Sequence, residues 1–292
     1  MQQTGGVISP ATKVYGLFGD PVGHSLSPLL HNTAFQLLGM DCVYLAFRVQ
    51  AQDLATAVAA LRVLGIAGVN VTVPHKHRVA GLLDRLEGDA ALTGSVNTIR
   101  NNDGELVGYS TDGAGLVASL REEANWEPQG NSAAILGTGG AAVAVAYRLV
   151  QEGVKRLVLL GRSEEKAEKL AEEIRAKLGF VPETGGFGDV KAVAKIRGCS
   201  LVVNATPLGM TGYAGEQMPP VDPELTDGDA LLCDLVYNPL RTRWLEKAEK
   251  CGRQILPGLG MLIYQGVEAF RIWTGITPPV QVIREKLLQI MI

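Results

Sequence analysis

Short apolar runs and longer amphipathic stretches take turns along almost the whole chain. Lys13 to Gly19 (KVYGLFG) reads as a first strand. Ser27-Pro28 predicts a helix start, with Ser27 as N-cap, Pro28 at the first helical position and Gly39 as the close. Residues 42–49 alternate as a strand, Asp53 to Leu64 predicts a helix closed by Gly65, and Ile66 to Val73 a short buried strand ending at Pro74. Val96 to Arg100 and Glu105 to Tyr109 flank Asn-Asn-Asp-Gly, a hairpin signal.

Asp112 to Ala124 predicts a helix, and Trp126 to Asn131 (WEPQGN) is a polar, turn-rich joint. A cleaner run follows: strand Ser132–Leu136, helix Gly140–Glu152, strand Arg156–Leu160 and helix Glu164–Leu178. That last helix puts Ala167, Leu170, Ala171, Ile174 and Leu178 on one stripe. Strands near 200–204, 229–235 and 253–256 and helices at about 259–273 and 279–290 complete the chain. Strand–helix alternation predicts an α/β fold built on parallel sheets with crossover helices.

Composition narrows the function classes. Glycine supplies 35 of 292 residues, about 12% against a usual ~7%, without a three-residue period, which excludes collagen. The excess predicts tight turns and close approach of backbone to a ligand. With 27 basic and 30 acidic residues the net charge is −3, no footprint for nucleic acid or an anionic membrane. Cys42, Cys199, Cys233 and Cys251 form no C-x-x-C pair, which predicts a reduced, cytoplasmic compartment. The start, MQQTGGVISP, lacks the basic and apolar regions of a signal peptide. The longest apolar stretch, Ala133 to Tyr147, is interrupted by Gly-Thr-Gly-Gly and too short to span a bilayer.

Gly137-Thr138-Gly139-Gly140-Ala141-Ala142 fits G-x-G-x-x-[G/A] between a strand and a helix. Gly137 permits the tight turn, Gly139 admits a pyrophosphate, and Ala142 allows close helix–strand packing. At the end of the next strand an NAD enzyme usually places a carboxylate for the ribose 2′-OH. Here Gly161-Arg162-Ser163 stand instead, and a guanidinium with a hydroxyl suits a 2′-phosphate, favouring NADP. The plainer alternative leaves Arg162 solvated and Ser163 as a helix N-cap, and Glu164 and Glu165 keep NAD use open.

Four polar clusters precede this motif: Gly19 to Pro28, Gly68 to Lys76, Gly94 to Thr98 and Ser110 to Gly113. Together they offer hydroxyls, carboxamides, one Lys and one Asp, an inventory suited to a small polyhydroxylated molecule.

From about Tyr15 to the C-terminus the chain resembles the shikimate dehydrogenase family. The motifs S-x-S-P at 25–28, N-V-T-x-P-x-K at 70–76, V-N-T at 96–98 and T-D-G at 111–113 come in order. G-x-G-G-A at 137–141, N-A-T-P-x-G-M at 204–210, D-x-V-Y-x-P-x-x-T at 234–242 and G-x-x-M-x-x-x-Q-G at 258–266 follow. The resemblance implies NADP-dependent, reversible reduction of 3-dehydroshikimate to shikimate, a step in aromatic amino-acid biosynthesis. It implies two α/β domains with a cleft between them. Residues 1–112, completed by helices in 258–292, would bind substrate on a mainly parallel sheet, and 113–257 would form a Rossmann-type NADP-binding domain.

By that resemblance Ser25 and Ser27 hold the substrate carboxylate, with Tyr237 near it, while Asn70, Thr72, Asn97, Asp112 and Gln265 bind hydroxyls. Lys76 and Asp112 form the catalytic pair. Gly137, Thr138, Gly139, Gly140, Ala141, Arg162, Ser163, Asn204, Ala205 and Thr206 line the cofactor, with Gly258 and Met261 near the nicotinamide. Two positions depart from the family pattern: Ser110 and Gly161 stand where Asn is common. Chemistry agrees with the pair: hydride transfer to a ketone creates an alkoxide, which an ammonium stabilises and protonates while a carboxylate orients it. Glycines flanking the site near 110–115 and 258–260 suggest a hinge.

Other residues receive ordinary readings. His24, His31, His75 and His77 all lie before residue 80; His75 and His77 lack ligand partners at metal spacing and are expected at a turn or strand end, with no metal site. Cys233 is expected buried in a strand, and Met210 fills a gap. The competing functions are a quinate/shikimate or amino-shikimate dehydrogenase using NAD, a folate-type methylene dehydrogenase and a non-catalytic dinucleotide sensor. Expected partners are the small substrate alone, with no nucleic acid or membrane, in a monomer or homodimer.

Overall fold

The computed structural model describes residues 8–213 and 217–291. Residues 1–7 and 292, the ends of the expected substrate domain, lie outside the described residues. The chain divides into two units, Met1–Thr111 with Ile263–Ile292, and Asp112–Leu262.

The first unit opens with β1 (Lys13–Gly19), α1 (Ser27–Leu37), β2 (Cys42–Arg48), α2 (Leu54–Val63) and β3 (Gly68–Val71). It continues with β4 (Arg85–Leu86), α3 (Asp89–Thr93), β5 (Thr98–Asn102) and β6 (Glu105–Tyr109). The second run comprises α4 (Asp112–Ala124), β7 (Ser132–Leu136), α5 (Gly140–Gln151), β8 (Arg156–Gly161), α6 (Glu164–Leu178) and β9 (Glu183–Gly186). Then come α7 (Val190–Ala194), β10 (Leu201–Asn204), β11 (Leu231–Asp234), α8 (Arg243–Lys250) and β12 (Gln254–Leu256). The chain closes with α9 (Leu259–Thr274) and α10 (Val280–Met291), and the second crossing between units falls inside α9.

Most elements lie where the pattern puts them, with instructive differences. Ser27 is not the cap of α1 but its first residue, after Leu26 in αR geometry, and its N–H donates to Ser25 Oγ at 3.2 Å. Asp103 and Gly104, at φ 50° and 100°, form the two-residue turn that carries β5 into β6, so β5 runs two residues past Arg100. The pattern missed β9 because Glu-Thr-Gly-Gly contains no strong strand former beyond Thr184. Gly185 is nonetheless needed there, since a Cβ would collide with Ala192 of α7.

The first sheet has the order β2-β1-β3-β5-β6-β4, with β5 antiparallel to both neighbours and the other pairs parallel. Alternation sorts its two faces. Phe18, Val69, Val71 and Ile99 join Val58 and Leu61 of α2 in one core. On the other face an aromatic cluster gathers Tyr15 and Tyr44 with Phe35 of α1 and Phe270 and Trp273 of α9. Gly68 leaves room for Trp273, whose Nε1 donates to Ile99 O at 2.9 Å.

His31 stands apart from the other histidines. It sits mid-helix in α1, fully buried, with its ring stacked on Tyr44 at 4.5 Å and near Trp273 at 5.1 Å. Neither ring nitrogen has a hydrogen-bond partner, and burial holds its pKa down to about 3. It serves as a neutral aromatic disc. His24, His75 and His77 do lie in turns, His75 buried with Nε2 bonded to Val49 O at 2.7 Å.

The second sheet is wholly parallel, ordered β12-β11-β10-β7-β8-β9. Read from β9, this is the Rossmann order, and the chain reverses direction across the sheet between β7 and β10. Leu136, Val158, Leu160, Val202 and Leu232 form one core face with Trp244, Leu245 and Ala248 of α8. Cys233 is buried in β11. Gly113 lets α4 seat on α5, where a Cβ would lie 2.7 Å from Ala144 O. Gly258 is pressed against Leu235 O, 2.5 Å from where its Cβ would be, so these glycines answer close packing rather than open space. Among the described residues no helix is long and apolar enough to cross a membrane.

Candidate active site

In the first unit the chain leaves β1 for β2 on one side and reaches β3 on the other, so the loops after β1 and β3 flank a crevice at the strand ends. Asp20 N donates to Val73 O at 3.0 Å and Thr72 N to Phe18 O at 2.9 Å, tying those loops together. The β1 loop carries Ser25, half-buried, and Ser27, buried. The β3 loop carries Thr72 and Lys76, both half-buried, and the Lys76 carbonyl accepts from Val96 N at 2.8 Å.

Beside them runs a chain of buried polar side chains. Tyr44 Oη donates to Asn70 Oδ1 at 2.8 Å. Asn70 Nδ2 donates to Asn97 O and Thr98 Oγ1, both at 3.1 Å, committing both of its hydrogens to protein. Thr98 Oγ1 donates to Asn97 Oδ1 at 3.1 Å. Asn97 Nδ2 in turn donates to Thr111 Oγ1 at 2.8 Å and Gln265 Oε1 at 3.3 Å, while its Oδ1 accepts from Thr111 N at 2.8 Å. Asn70, Asn97 and Gln265 are thus brought together. Thr111, the residue before Asp112, is fixed by three bonds to Asn97. Burial pushes the Tyr44 phenol well above its usual pKa, so it stays protonated as a donor.

Asp112, 4% exposed, is the first residue of α4 in the second unit. Ser110, at a departing position, is buried with no hydrogen-bond partner for its hydroxyl.

The expected cofactor residues gather where the second sheet reverses. Gly137 has φ 116°, a left-handed conformation, and a Cβ there would lie 3.0 Å from Ala205 O, so only glycine suits the turn. Gly139 precedes α5 with nothing within 4 Å of a Cβ position, and α5 has no side-chain cap. Its first N–H groups therefore face the loop without a side-chain acceptor, an anion site ready-made. By contrast α6 is capped by Ser163, whose Oγ accepts from Lys166 N at 3.4 Å. Arg162 beside it is exposed, and Gly161 is buried with Thr138 Cγ2 3.0 Å from its Cβ position. Thr138 thus fills space that a side chain at 161 would need.

At the end of β10, Asn204 is buried and its Oδ1 accepts from Thr206 N at 3.1 Å and Thr206 Oγ1 at 2.6 Å. Ala205 N bonds Leu136 O at 2.9 Å, holding this loop against the Gly137 turn. Tyr237 is half-buried after β11 with its pKa raised by burial, and Met261 is buried in the first turn of α9.

Family models match three stretches: a shikimate dehydrogenase substrate-binding domain over residues 17–99, shikimate/quinate 5-dehydrogenase over 120–183, and a shikimate 5′-dehydrogenase C-terminal domain over 258–288. A protein of Methanopyrus kandleri named shikimate dehydrogenase (NADP(+)) is 46% identical over 283 residues, 97% of each chain. The chain belongs to the shikimate dehydrogenase family. A crystal structure of a family member in complex with NADP+ superposes with a TM-score of 0.90 at 39% identity, covering 98% of each chain. The shikimate 5-dehydrogenase of Listeria monocytogenes, in complex with shikimate and NAD, gives 0.89 at 38% identity, covering 96% of this chain and 98% of that one.

Three supporting residues of this family member escaped the sequence reading. Tyr44 looks like one more apolar position of an alternating strand, and Thr98 closes V-N-T without a role of its own. Asp234 opens D-x-V-Y, yet it is the most connected carboxylate in its loop. A polar group at a position the alternation buries was the available signal in each.

Proposed function

We propose that this chain is an NADP-dependent shikimate dehydrogenase, catalysing the reversible reduction of 3-dehydroshikimate to shikimate in the cytoplasm. The observation that carries the reading is one chain holding both an uncapped α5 behind Gly137 and the hydrogen-bonded row Asn70–Thr98–Asn97–Gln265. NADP fits the crevice of the second unit. The backbone of Gly137 to Ala141 would hold the pyrophosphate, Arg162 and Ser163 the 2′-phosphate, and Asn204 to Thr206 with Gly258 and Met261 the nicotinamide end. Bound there, the cofactor supplies or accepts hydride.

The chain's own residues do the rest. Ser25 and Ser27, with Tyr237, bind the carboxylate, and Thr72, Asn97 and Gln265 face the hydroxyls. Asn70, its N–H groups committed to Asn97 and Thr98, accepts a hydrogen bond from a substrate hydroxyl through its remaining lone pair. Lys76 presents its ammonium to the reacting oxygen, holding the proton that becomes the new O–H hydrogen, and Asp112 orients Lys76 and one substrate hydroxyl. The four cysteines are free thiols, in keeping with a reducing cytoplasm, and the enzyme acts as a monomer or homodimer on its small substrate alone.

Following formation of the reduced cofactor by absorbance with shikimate and quinate, each with NADP+ and NAD+, tests this. Shikimate with NADP+ should give the highest kcat/KM; preference for quinate or NAD+ overturns the assignment. Lys76→Ala should lose about 10²- to 10⁴-fold in kcat while still binding shikimate, and near wild-type turnover rules Lys76 out.

A further inference from the structure

Asp234 lies at the C-terminal end of β11, beside the loops that follow β10 and β11, and is fully buried. Three donors converge on it. Asn204 Nδ2 and Val236 N reach Oδ1 at 2.9 and 3.0 Å, and Thr242 Oγ1 reaches Oδ2 at 2.7 Å. Among the described residues no cation pairs with it, and hydrogen bonds are the partners it has there. Burial pushes the carboxyl up to about 6, the three donors pulling the other way.

Each donor controls a different segment. Asn204 holds Thr206 by two bonds and donates also to Leu208 O at 3.1 Å, shaping the loop that faces the Gly137 turn. Val236 N fixes the path of the chain toward Tyr237, and the Val236 carbonyl accepts from Gly258 N at 3.3 Å. Thr242 caps α8 by accepting from Leu245 N at 3.3 Å, and it packs on Gly209, 3.2 Å from that glycine's Cβ position. Three segments around the nicotinamide end of the proposed site thus converge on a single carboxylate, although none of its own atoms needs to touch a ligand.

We infer that Asp234 is a positioning residue that sets the nicotinamide-side wall of the cofactor crevice through Asn204, Val236 and Thr242. The inference rests on the NADP reading of that crevice. It separates a wall held in place from a merely stabilised domain. Loss of packing lowers the fraction of folded enzyme, whereas a displaced wall changes cofactor affinity in molecules that remain folded.

Asp234→Asn and Thr242→Val test it, the second keeping the shape that packs on Gly209, with Thr242→Ser as the conservative control. Asp234→Asn should raise both KM and Kd for NADP+ about tenfold, with the KM for shikimate moving less than twofold. Thr242→Val should shift the same constants in the same direction, and Thr242→Ser should restore them. Folded Asp234→Asn or Thr242→Val enzyme with wild-type KM and Kd for NADP+ overturns the inference, the second variant deciding if the first does not fold. Wild-type enzyme that fails to bind NADP+ instead overturns the cofactor reading itself.

Discussion

The Tyr44 hydroxyl donates to Asn70 Oδ1 at 2.8 Å, so a residue of the edge strand β2 fixes which way round the Asn70 carboxamide stands. With both N–H groups directed at Asn97 O and Thr98 Oγ1, the Asn70 oxygen keeps one lone pair beyond the Tyr44 bond for the proposed substrate hydroxyl. Tyr44→Phe keeps the ring stacked on His31 and removes the hydroxyl that donates to Asn70. A buried hydrogen bond of this kind contributes about 1 kcal/mol. Steady-state kinetics should therefore show kcat/KM for shikimate lowered about fivefold to tenfold, with KM for NADP+ unchanged. Unaltered shikimate kinetics would show that Asn70 holds its orientation without Tyr44.

Gly137→Ala places a methyl group 3.0 Å from Ala205 O on a backbone with φ 116°. The strain should cost about 1–3 kcal/mol and shift the turn against the 204–206 loop. Thermal unfolding should show a lowered Tm, and titration with NADP+ a Kd at least tenfold higher. A variant that matches wild type in both would mean the turn has slack that its contacts do not reveal.

Arg162 is exposed and makes no described hydrogen bond. Arg162→Ala should leave the unfolding free energy within about 0.5 kcal/mol. The ratio of kcat/KM for NADP+ over NAD+ should nevertheless drop by about one to two orders of magnitude, through loss of charge-assisted bonds to the 2′-phosphate. An unchanged ratio would move the preference onto Ser163.

His31 gives the fold an acid limit. Its pKa is about 3 in the folded chain against 6.5 when exposed, so between those values the unfolded chain binds more protons. Stability is full above about pH 6.5 and falls as pH drops toward 3, by on the order of 5 kcal/mol across the window. Denaturant unfolding at stepped pH should show this slope in wild type, and His31→Phe, which keeps an aromatic ring in the cluster, should flatten it. Parallel slopes in the two proteins would place the acid sensitivity in the carboxylates instead.

The order of strands and helices was legible because each crossover ends in a recognisable stop, such as Gly39, Gly65 and Gly179, all at φ near +65°. The glycine-rich turn was legible for the same reason: Gly137 needs a conformation other residues resist. What escaped was decided by contact rather than by local rule. Nothing near Glu183-Thr184-Gly185-Gly186 favours a strand until β8 offers its edge. Nothing in S-P-L-L-H marks His31 as interior until α9 supplies Phe270 and Trp273 on the same side. The carboxamides could be picked out as polar residues in apolar flanks, but not their mutual bonding, because Asn97 and Gln265 are separated by 168 positions.

That mutual bonding bears on how such an enzyme changes over evolutionary time. Asn70, Thr98, Asn97, Thr111 and Gln265 each satisfy a neighbour, so replacing one strands a buried polar group on the next. Substitutions along this row should be strongly non-additive. A lineage drifting toward a differently hydroxylated acid is then steered to residues outside the row, such as Ser25 or Thr72, or obliged to exchange several members together.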